Sequence, residues 1–530
     1  MDSSSLGYAY HFPTGGCMMK VRNALSQFSD LFSEFNRYIA PAYHHDRCER
    51  SVQMRLYSMH KREFFMVFMA FFISLGLAIF IGLAGPPITY TSEQRATDIL
   101  QQQNLSSSLL ATGPFTLHSP VLSTYNQQLW VIAVVKTDNT DDESFDKVFQ
   151  VGVLLSGVES KHEEVAILHS VHNRTRHLRC TKQTCDQVTI LHLGYIDYAV
   201  YVTTVFFYDL ENFHQRYNIR DIVFYFKTYN PGFTQLELWF RLIYLLGTFS
   251  CAVWFAHTLR KFTIHDWSFE QKWISVLLPL LLLYNNPLFP LLLLFHSWLP
   301  GMLDALFQAS FLCALLLFWL CIYHGLRQNE RRFFTFYFPK LSIVGPIWVS
   351  AIILATWEKV NELKDPTYNH KFDTQSFENL KTFFYIFMGL YIFYLLCLIL
   401  TAYGELRSMP FFDMRLKFLT LLMLIVIMIG ISITVTRFGV DIVEDNFIAD
   451  LSTTYESSVE FMALYGLLNF YLFTMAFVYS PSEDTIFETA ITKDNPAFSM
   501  INDSDEDVIY GSDLESRQPL NQSHNDDDSD

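Results

Sequence analysis

The sequence predicts a polytopic α-helical membrane protein with an all-β sandwich domain on the lumenal or extracellular side. Three observations predict it. First, the 530 residues are 51% hydrophobic, 16% aromatic and only 17% charged, with fifty Phe, whereas soluble chains carry roughly 25% charged residues. Second, eight separate apolar stretches each reach the roughly 20 residues that a helix needs to cross a hydrocarbon core about 30 Å thick. Third, one long segment between the first two stretches has the texture of short β-strands rather than of helices. This composition excludes a purely soluble enzyme, a disordered chain and a collagen-like repeat.

Taken in order, residues 1–63 are an N-terminal segment mixing basic residues with scattered aromatics. An interfacial helix around Phe28–Tyr38 and a solvated segment are both compatible with it. His44, His45 and Cys48 lack a fourth ligand, so no metal is expected there. The first span, 64–84, begins too late and is too long for a signal-peptide core of roughly 7–15 residues, and reads as a signal anchor.

Residues 86–235 are long enough for one domain. Apolar runs at Leu129–Val135, Val148–Leu155, Val165–Val171, Val188–Leu193, Tyr201–Tyr208 and Ile222–Phe226 suggest about seven antiparallel strands. A helix-like period occurs only at Glu93–Gln103. The last strand runs through Asn230-Pro231-Gly232 into the second span, which reads as a short hinge. Cys180 and Cys185 flank a four-residue hairpin tip, and an oxidising lumen favours a disulfide between them. His169, His172 and His177 lie nearby, but no CxxC or HxxxH spacing supports zinc. Asn104 and Asn173 head acceptor sequons for glycosylation on this side.

The remaining spans are 238–256, 273–295, 303–325, 340–357, 382–402, 418–436 and 459–479, within a bundle covering 236–480. Fifteen flanking Lys/Arg fall on one side: Arg47, Arg50, Arg55, Lys61 and Arg62, then Arg260, Lys261 and Lys272, then Arg327, Arg331, Arg332 and Lys340, then Arg407, Arg415 and Lys417. The opposite short loops hold five: Lys359, Lys364, Lys371, Lys381 and Arg437. Basic residues accumulate on the cytoplasmic side, so both termini are expected in the cytosol.

The third span contains Asn285, Asn286, Pro287 and Pro290. Proline removes ladder donors and asparagine amides in hydrocarbon must pair, so this span is expected to be broken. Either a kinked helix held by interhelical hydrogen bonds or a polar cavity lining fits the pattern. Asp304 and Gln308 in the fourth span, with Glu460 and Asn469 in the eighth, are the other candidates for that lining. Asp304 and Glu460 lie near lumenal span ends, where water access makes a charge cheap. No enzyme motif sits on a suitable turn, His257, His296 and His324 all fall at span ends, and no filter-like sequence marks a channel. Neither a cofactor nor nucleic-acid binding is indicated.

Residues 481–530 hold fourteen acidic residues against two basic ones, a local net of −12 out of the chain's −16. Such a tail defaults to disorder. Within it, Asn495-Pro496-Ala497-Phe498 has the form of a sorting turn for trafficking adaptors. Ser504 and Ser512 precede acids three residues on, a pattern for acid-directed phosphorylation.

Several segments resemble the Wntless-like proteins, within a wider group of seven-span proteins that carry a lumenal GOLD-like β-domain. Tyr465-Gly466-x-x-Asn469-x-Tyr471-x-Phe473 and Phe477-x-Tyr479-x-Pro481-Ser482 carry most of the likeness. Phe318-Trp319 with Glu330-Arg331, Val344-Gly345-Pro346-Ile347, Arg415-x-Lys417-Phe418-Leu419 and Tyr229-x-x-Gly232-Phe233-Thr234 support it. The likeness spans roughly residues 229–482. It implies one N-terminal helix preceding a seven-helix GPCR-like bundle, with a GOLD-like sandwich docked above. It also implies a non-enzymatic receptor or cargo adaptor of the plasma membrane and secretory or endosomal membranes, binding an extracellular or lumenal protein ligand among membrane lipids. A channel or transporter using the broken third span is the alternative. The receptor signatures DRY and NPxxY are missing, so the sequence lends no support to G-protein coupling.

Overall fold

A computed structural model describes residues 52–482 except 53, 104–105, 139–144, 159–163, 182, 212–213, 215–217, 326–331, 369–374, 407–409, 439–454 and 456. Seven helical stretches among them are long and apolar enough to cross a membrane. They are built from α1 (Lys61–Leu83), α3 (Pro231–Leu259), α4 and α5 together (Phe269–Tyr284 and Phe289–Leu294), α6 (Trp298–Gly325), α7 (Phe338–Lys364), α8 (Gln375–Leu406) and α10 (Ser458–Val478). An eighth helix, α9 (Pro410–Phe438), has its described apolar stretch at Lys417–Ile433. A short helix, α2 (Ala96–Gln102), belongs to the β-domain, and one further turn of helix, Arg55–Ser58, precedes α1.

Helix α10 is the hub of the bundle. Its long side chains Tyr465, Tyr471 and Met475 are at most 1% exposed. Most of its residues are buried, unlike those of α1, which presents Phe65, Phe72, Ile73 and Phe80 outward. A helix apolar all round belongs in a core when neighbours surround it, and α10 is so surrounded. It touches α1, α3, α4 and α9.

The β-domain has ten strands: β1 (Thr89–Arg95), β2 (Phe115–His118), β3 (Leu129–Thr137), β4 (Phe145–Val158), β5 (Glu164–Ala166), β6 (His172–Thr181), β7 (Thr184–Cys185), β8 (Val188–Leu193), β9 (Val200–Tyr208) and β10 (Ile219–Tyr229). All pairings are antiparallel, in the order β1-β10-β3-β7-β6-β4-β9-β2, with β8 added to β3 and β5 to β4. Two-residue β7 links the two halves, so the sheet folds over at that edge and its inner faces meet. Phe115 on β2 and Phe207 on β9 lie 5.4 and 6.3 Å from Phe224 on β10, across the layers. The alternation of β3, buried at every second residue from Leu129 to Thr137, is what a sandwich face requires.

Four strands were not legible in the sequence. β6 alternates His, Arg and Thr outward with Arg176, Leu178 and Cys180 inward, so its polar side masks the period. β1 and β7 are polar, and β2 has only four residues. The run Val165–Val171 is also not one strand. The amides of Ile167 and Leu168 both donate to the Leu155 carbonyl at 3.0 Å, which turns the chain off the sheet after Ala166. The expected helix at Glu93–Gln103 begins only at Ala96, because Glu93–Arg95 pair with β10.

The Cys180–Cys185 disulfide closes the β6–β7 hairpin, as its spacing predicts. The junction Asn230-Pro231-Gly232, by contrast, is not a hinge. Asn230 caps α3 by accepting from the Gly232 amide at 2.9 Å, and Pro231 occupies the first turn, where its missing N–H costs nothing. The Asn126 side chain donates to the Tyr229 carbonyl at 3.0 Å, and the Asn230 amide donates to Ile88 at 2.7 Å. Strand β10 thus passes directly into α3 under hydrogen-bond restraint.

Candidate functional site

The third span is broken at the predicted residues. α4 ends at Tyr284, and Asn286 adopts φ +50°, the left-handed conformation that asparagine tolerates at a helix end. Its side-chain oxygen accepts from the Leu288 amide at 3.0 Å. Pro287 cannot continue the ladder, and Pro290 sits in the first turn of α5.

Asn285 is fully buried and joins three helices. Its amide donates to Thr248 on α3 and to Asn469 on α10, each at 2.9 Å, and Asn469 donates back at 3.0 Å. Thr248 also donates to Asn469 at 2.9 Å, and the Asn469 amide reaches the Tyr465 carbonyl. Two asparagines and a threonine therefore satisfy one another in the middle of the bundle, as buried amides must.

Asn286 starts a second, charged network. It donates to Asp304 on α6 at 2.6 Å, and Gln308 donates to the other Asp304 oxygen at 3.0 Å. Arg241 on α3 lies 3.6 Å from Asp304 and donates twice to Glu237, at 2.9 and 3.1 Å. Gln127, from the β-domain, donates to Glu237 at 3.2 Å and to Thr234 at 3.0 Å. The guanidinium also lies over the rings of Phe289 and Tyr465, at 4.3 and 5.0 Å. One Arg nitrogen, Nη1, is buried without a hydrogen-bond partner. It belongs to a residue lining a cavity of about 70 Å³, together with Gln127, Tyr195, Glu237, Asp304 and Lys359. That volume holds a few waters. It is far below the roughly 300–1,000 Å³ of sites that take larger ligands.

The candidate residues thus divide. Asn285 and Asn469 meet in one network, and Asn286, Asp304 and Gln308 in the other, while Pro287 and Pro290 shape the break. Glu460 is buried in the first turn of α10, where a carboxylate complements the helix N-terminus. The expectation that Asp304 and Glu460 sit at water-accessible span ends is corrected, since they are 5% and 8% exposed inside the protein. The sequence reading missed Gln127, Glu237, Arg241 and Thr248. The i,i+4 spacing of Glu237 and Arg241 in an apolar helix was the available signal.

The β-domain meets the bundle at further points. Arg174 and Asp365 form an ion pair beyond the end of α7, and the Asp365 side chain also accepts from Thr367. The His192 amide donates to the Pro366 carbonyl at 2.7 Å, and Arg176 donates to the Thr367 carbonyl. Partial burial works against ionisation of Asp365, but the Thr367 hydrogen bonds and Arg174 outweigh it and hold the carboxyl at about 2. His296, between α5 and α6, lies 2.7 Å from Asp197 and stacks on Tyr195. Of the three histidines weighed for zinc, His172 faces Asp365, His177 faces Asp146, and His169 is exposed. No group of three or more metal-ligating side chains occurs among the described residues. Asn173 is exposed on β6, whereas Asn104, Asn495, Pro496, Phe498, Ser504 and Ser512 lie outside the described residues.

Comparison with known proteins accounts for both halves of this architecture. Residues 230–483 match the Wntless-like transmembrane domain, and residues 113–229 match the GOLD domain of TMEM181. Human transmembrane protein 181 (Homo sapiens) is 51% identical over 463 residues, covering 87% of this chain and 94% of that protein. The chain belongs to the transmembrane protein 181 family. The family's boundary between its two matched domains falls at Tyr229–Asn230, the point where β10 becomes α3. Strand β1 precedes the GOLD match yet pairs with β10 along its whole length, so in this family member the sheet extends N-terminally to meet α1. Neither matched description names a catalytic activity.

Proposed function

We propose that this protein is a non-enzymatic membrane receptor or trafficking adaptor that takes an extracellular or lumenal protein ligand on its β-domain. The observation that carries this reading is the line of hydrogen bonds, completed by the 3.6 Å Arg241–Asp304 ion pair, that runs from Gln127 through Glu237, Arg241 and Asp304 to Asn286 at the broken span. A load on the β-domain is thereby mechanically connected to the least regular point of the bundle. The outer face of the β4–β9 layer offers a docking surface, with Val148 and Tyr208 half exposed on it. The β-domain then lies in the lumen or outside the cell. Both tails lie in the cytosol, where the Asn495-Pro496-Ala497-Phe498 motif meets trafficking adaptors.

The alternative, a channel or transporter, draws on the same break. Its amides are paired with one another, and the cavity beside them has room for only a few waters. Both features favour the receptor reading. Proximity labelling with the full chain tests it against Val148→Lys/Tyr208→Lys at matched surface level. The receptor reading expects a set of labelled non-cytosolic proteins to be lost in the variant. An unchanged set, together with ion flux through the purified protein in liposomes, would replace it with the transporter.

A further inference from the structure

Asn173 lies near the start of β6, in a row of the outer face that has a gap in it. The residues paired across β6, β4 and β9 in that row are Asn173, Gly152 and Phe206, and those of the next outward-facing row are Thr175, Gln150 and Tyr208. Gly152 puts no side chain into its row, so its neighbours lean in over the bare Cα. A Cβ built there would meet the Asn173 carboxamide oxygen at 2.8 Å, a Val171 methyl at 2.9 Å and the edge of the Tyr208 ring at 3.0 Å. The side chains of Asn173 and Tyr208 thus converge on one point, although two strand spacings, roughly 10 Å, separate β6 from β9.

An acceptor sequon stands on this cradle. Asn173 and Thr175 are both exposed and share the outer face, because residues two apart in a strand point the same way. Arg174 between them points the other way and pairs with Asp365, which fixes the strand beneath the site. Val171 and Tyr208 each keep 40% of their surface open beside it. A sugar ring presents aliphatic C–H groups on its faces and hydroxyls at its edges. A first sugar on the Asn173 amide therefore finds an apolar and aromatic surface for its face and water for its edges.

We infer that Asn173 carries an N-linked oligosaccharide whose first sugars lie on Tyr208 and Val171, and that this glycan shields the Tyr208 end of the docking face. The shielding rests on the receptor reading above, since Val148 and Tyr208 define that face, whereas the attachment rests on the lumenal placement of the β-domain alone. Attachment joins Nδ2 of Asn173 to C1 of an N-acetylglucosamine. The bond from that carbon to the pyrophosphate of a lipid-linked oligosaccharide breaks, the pyrophosphate leaves with the bonding electrons, and the amide gives up one proton. Val148 lies four residues from Gly152 along β4, roughly 14 Å away, so its end of the face stays clear of the first sugars. A protein ligand then meets a smaller apolar contact on the glycosylated molecule than on the bare one.

The test uses the full chain from glycosylating cells, digested and treated with peptide N-glycosidase in heavy-oxygen water. The Asn173 peptide is expected to return as Asp carrying the heavy isotope. It should not do so in Thr175→Val, which keeps the β-branched shape and removes the hydroxyl that the sequon needs. Release of the glycan from the folded, detergent-solubilised protein should run severalfold faster in Tyr208→Ala, because the first sugar loses its platform. Proximity labelling of Asn173→Gln and of Thr175→Val should yield more of the non-cytosolic proteins that Val148→Lys/Tyr208→Lys loses. An unmodified Asn173 overturns the inference outright. Modification with an equal release rate in Tyr208→Ala overturns the packing. Unchanged labelling in both sequon variants overturns the shield while the docking reading stands. If Val148→Lys/Tyr208→Lys loses nothing, the docking reading falls and takes the shield with it, and the modified Asn173 and its slow release remain.

Discussion

Arg241 holds two carboxylates apart with one positive charge, inside a bundle where water cannot substitute for it. Breaking a buried ion pair by removing one partner costs about 3–5 kcal/mol, whereas replacing the whole set by uncharged isosteres is often near neutral. Arg241→Met is therefore expected to lower thermal stability and surface level sharply. Combining it with Glu237→Gln and Asp304→Asn should recover most of the loss, as read by melting of the detergent-solubilised protein. A triple variant no better than Arg241→Met would mean that packing on Phe289 and Tyr465 matters more than charge. Cys180 and Cys185 set a smaller scale. Their ring is short, so the chain-entropy estimate is only about 2 kcal/mol. Alkylation of non-reduced protein should find both thiols blocked, and Cys180→Ser/Cys185→Ser should still reach the membrane.

At the scale of elements, the break between α4 and α5 is held by what its amides touch. Replacing Asn285 and Asn286 by Leu, with Pro287 and Pro290 by Ala, writes a straighter and more apolar helix. It also strips Thr248, Asn469 and Asp304 of partners. Each interhelical polar contact in a membrane contributes about 0.6–2 kcal/mol. The quadruple variant is expected to insert normally yet lose several kcal/mol of bundle stability. A double-mutant cycle between Asn285→Leu and Asn469→Leu should give a coupling energy in the same 0.6–2 kcal/mol range. Zero coupling would show that the reciprocal amide pair adds nothing. The position of the break was legible, because Asn-Asn-Pro inside twenty apolar residues has no helical solution. Which helices would answer it was not. Thr248 carries no signal in sequence, and Asn285 and Asn469 are 184 residues apart.

At the scale of the whole molecule, the docking of sheet on bundle is charged and therefore depends on pH. Asp365 is held near 2, below its ordinary value of 3.8. The Arg174–Asp365 contact is accordingly at full strength above about pH 4 and is lost as the pH falls through 2. Hydrogen exchange of the His192 amide, which donates to the adjacent Pro366 carbonyl, should quicken across that window relative to the rest of β8. In Asp365→Asn it should already be fast at neutral pH, with no further acid dependence through this contact. Orientation is tested at the same scale. Tags at both termini should resist protease added to intact cells, and digestion of either would reverse the topology drawn from the fifteen-to-five asymmetry of basic residues.

Of the eight spans that local patterning along the chain suggests, seven are long and apolar enough among the described residues. That patterning by itself carries the order of the apolar helices, the β character of the segment between the first two, the Cys180–Cys185 pairing and the place where the third span breaks. Each follows from local rules: the length of an apolar run, a period of two, a four-residue hairpin tip, and a proline without its N–H. Tertiary structure alone decided the rest. Arg241 looks like an awkward charge in an apolar helix until α6 brings Asp304 to it and the β-domain brings Gln127 to Glu237. β6 hides its strand behind arginines because two of them, Arg174 and Arg176, are used to grip residues 365–367 nearly two hundred positions later. The hinge expected at Asn230-Pro231-Gly232 became a clamp because Asn126 and Ile88 lie beside it in space. Burial and pairing are properties of neighbours that the chain brings together only by folding, and no window along the sequence contains them.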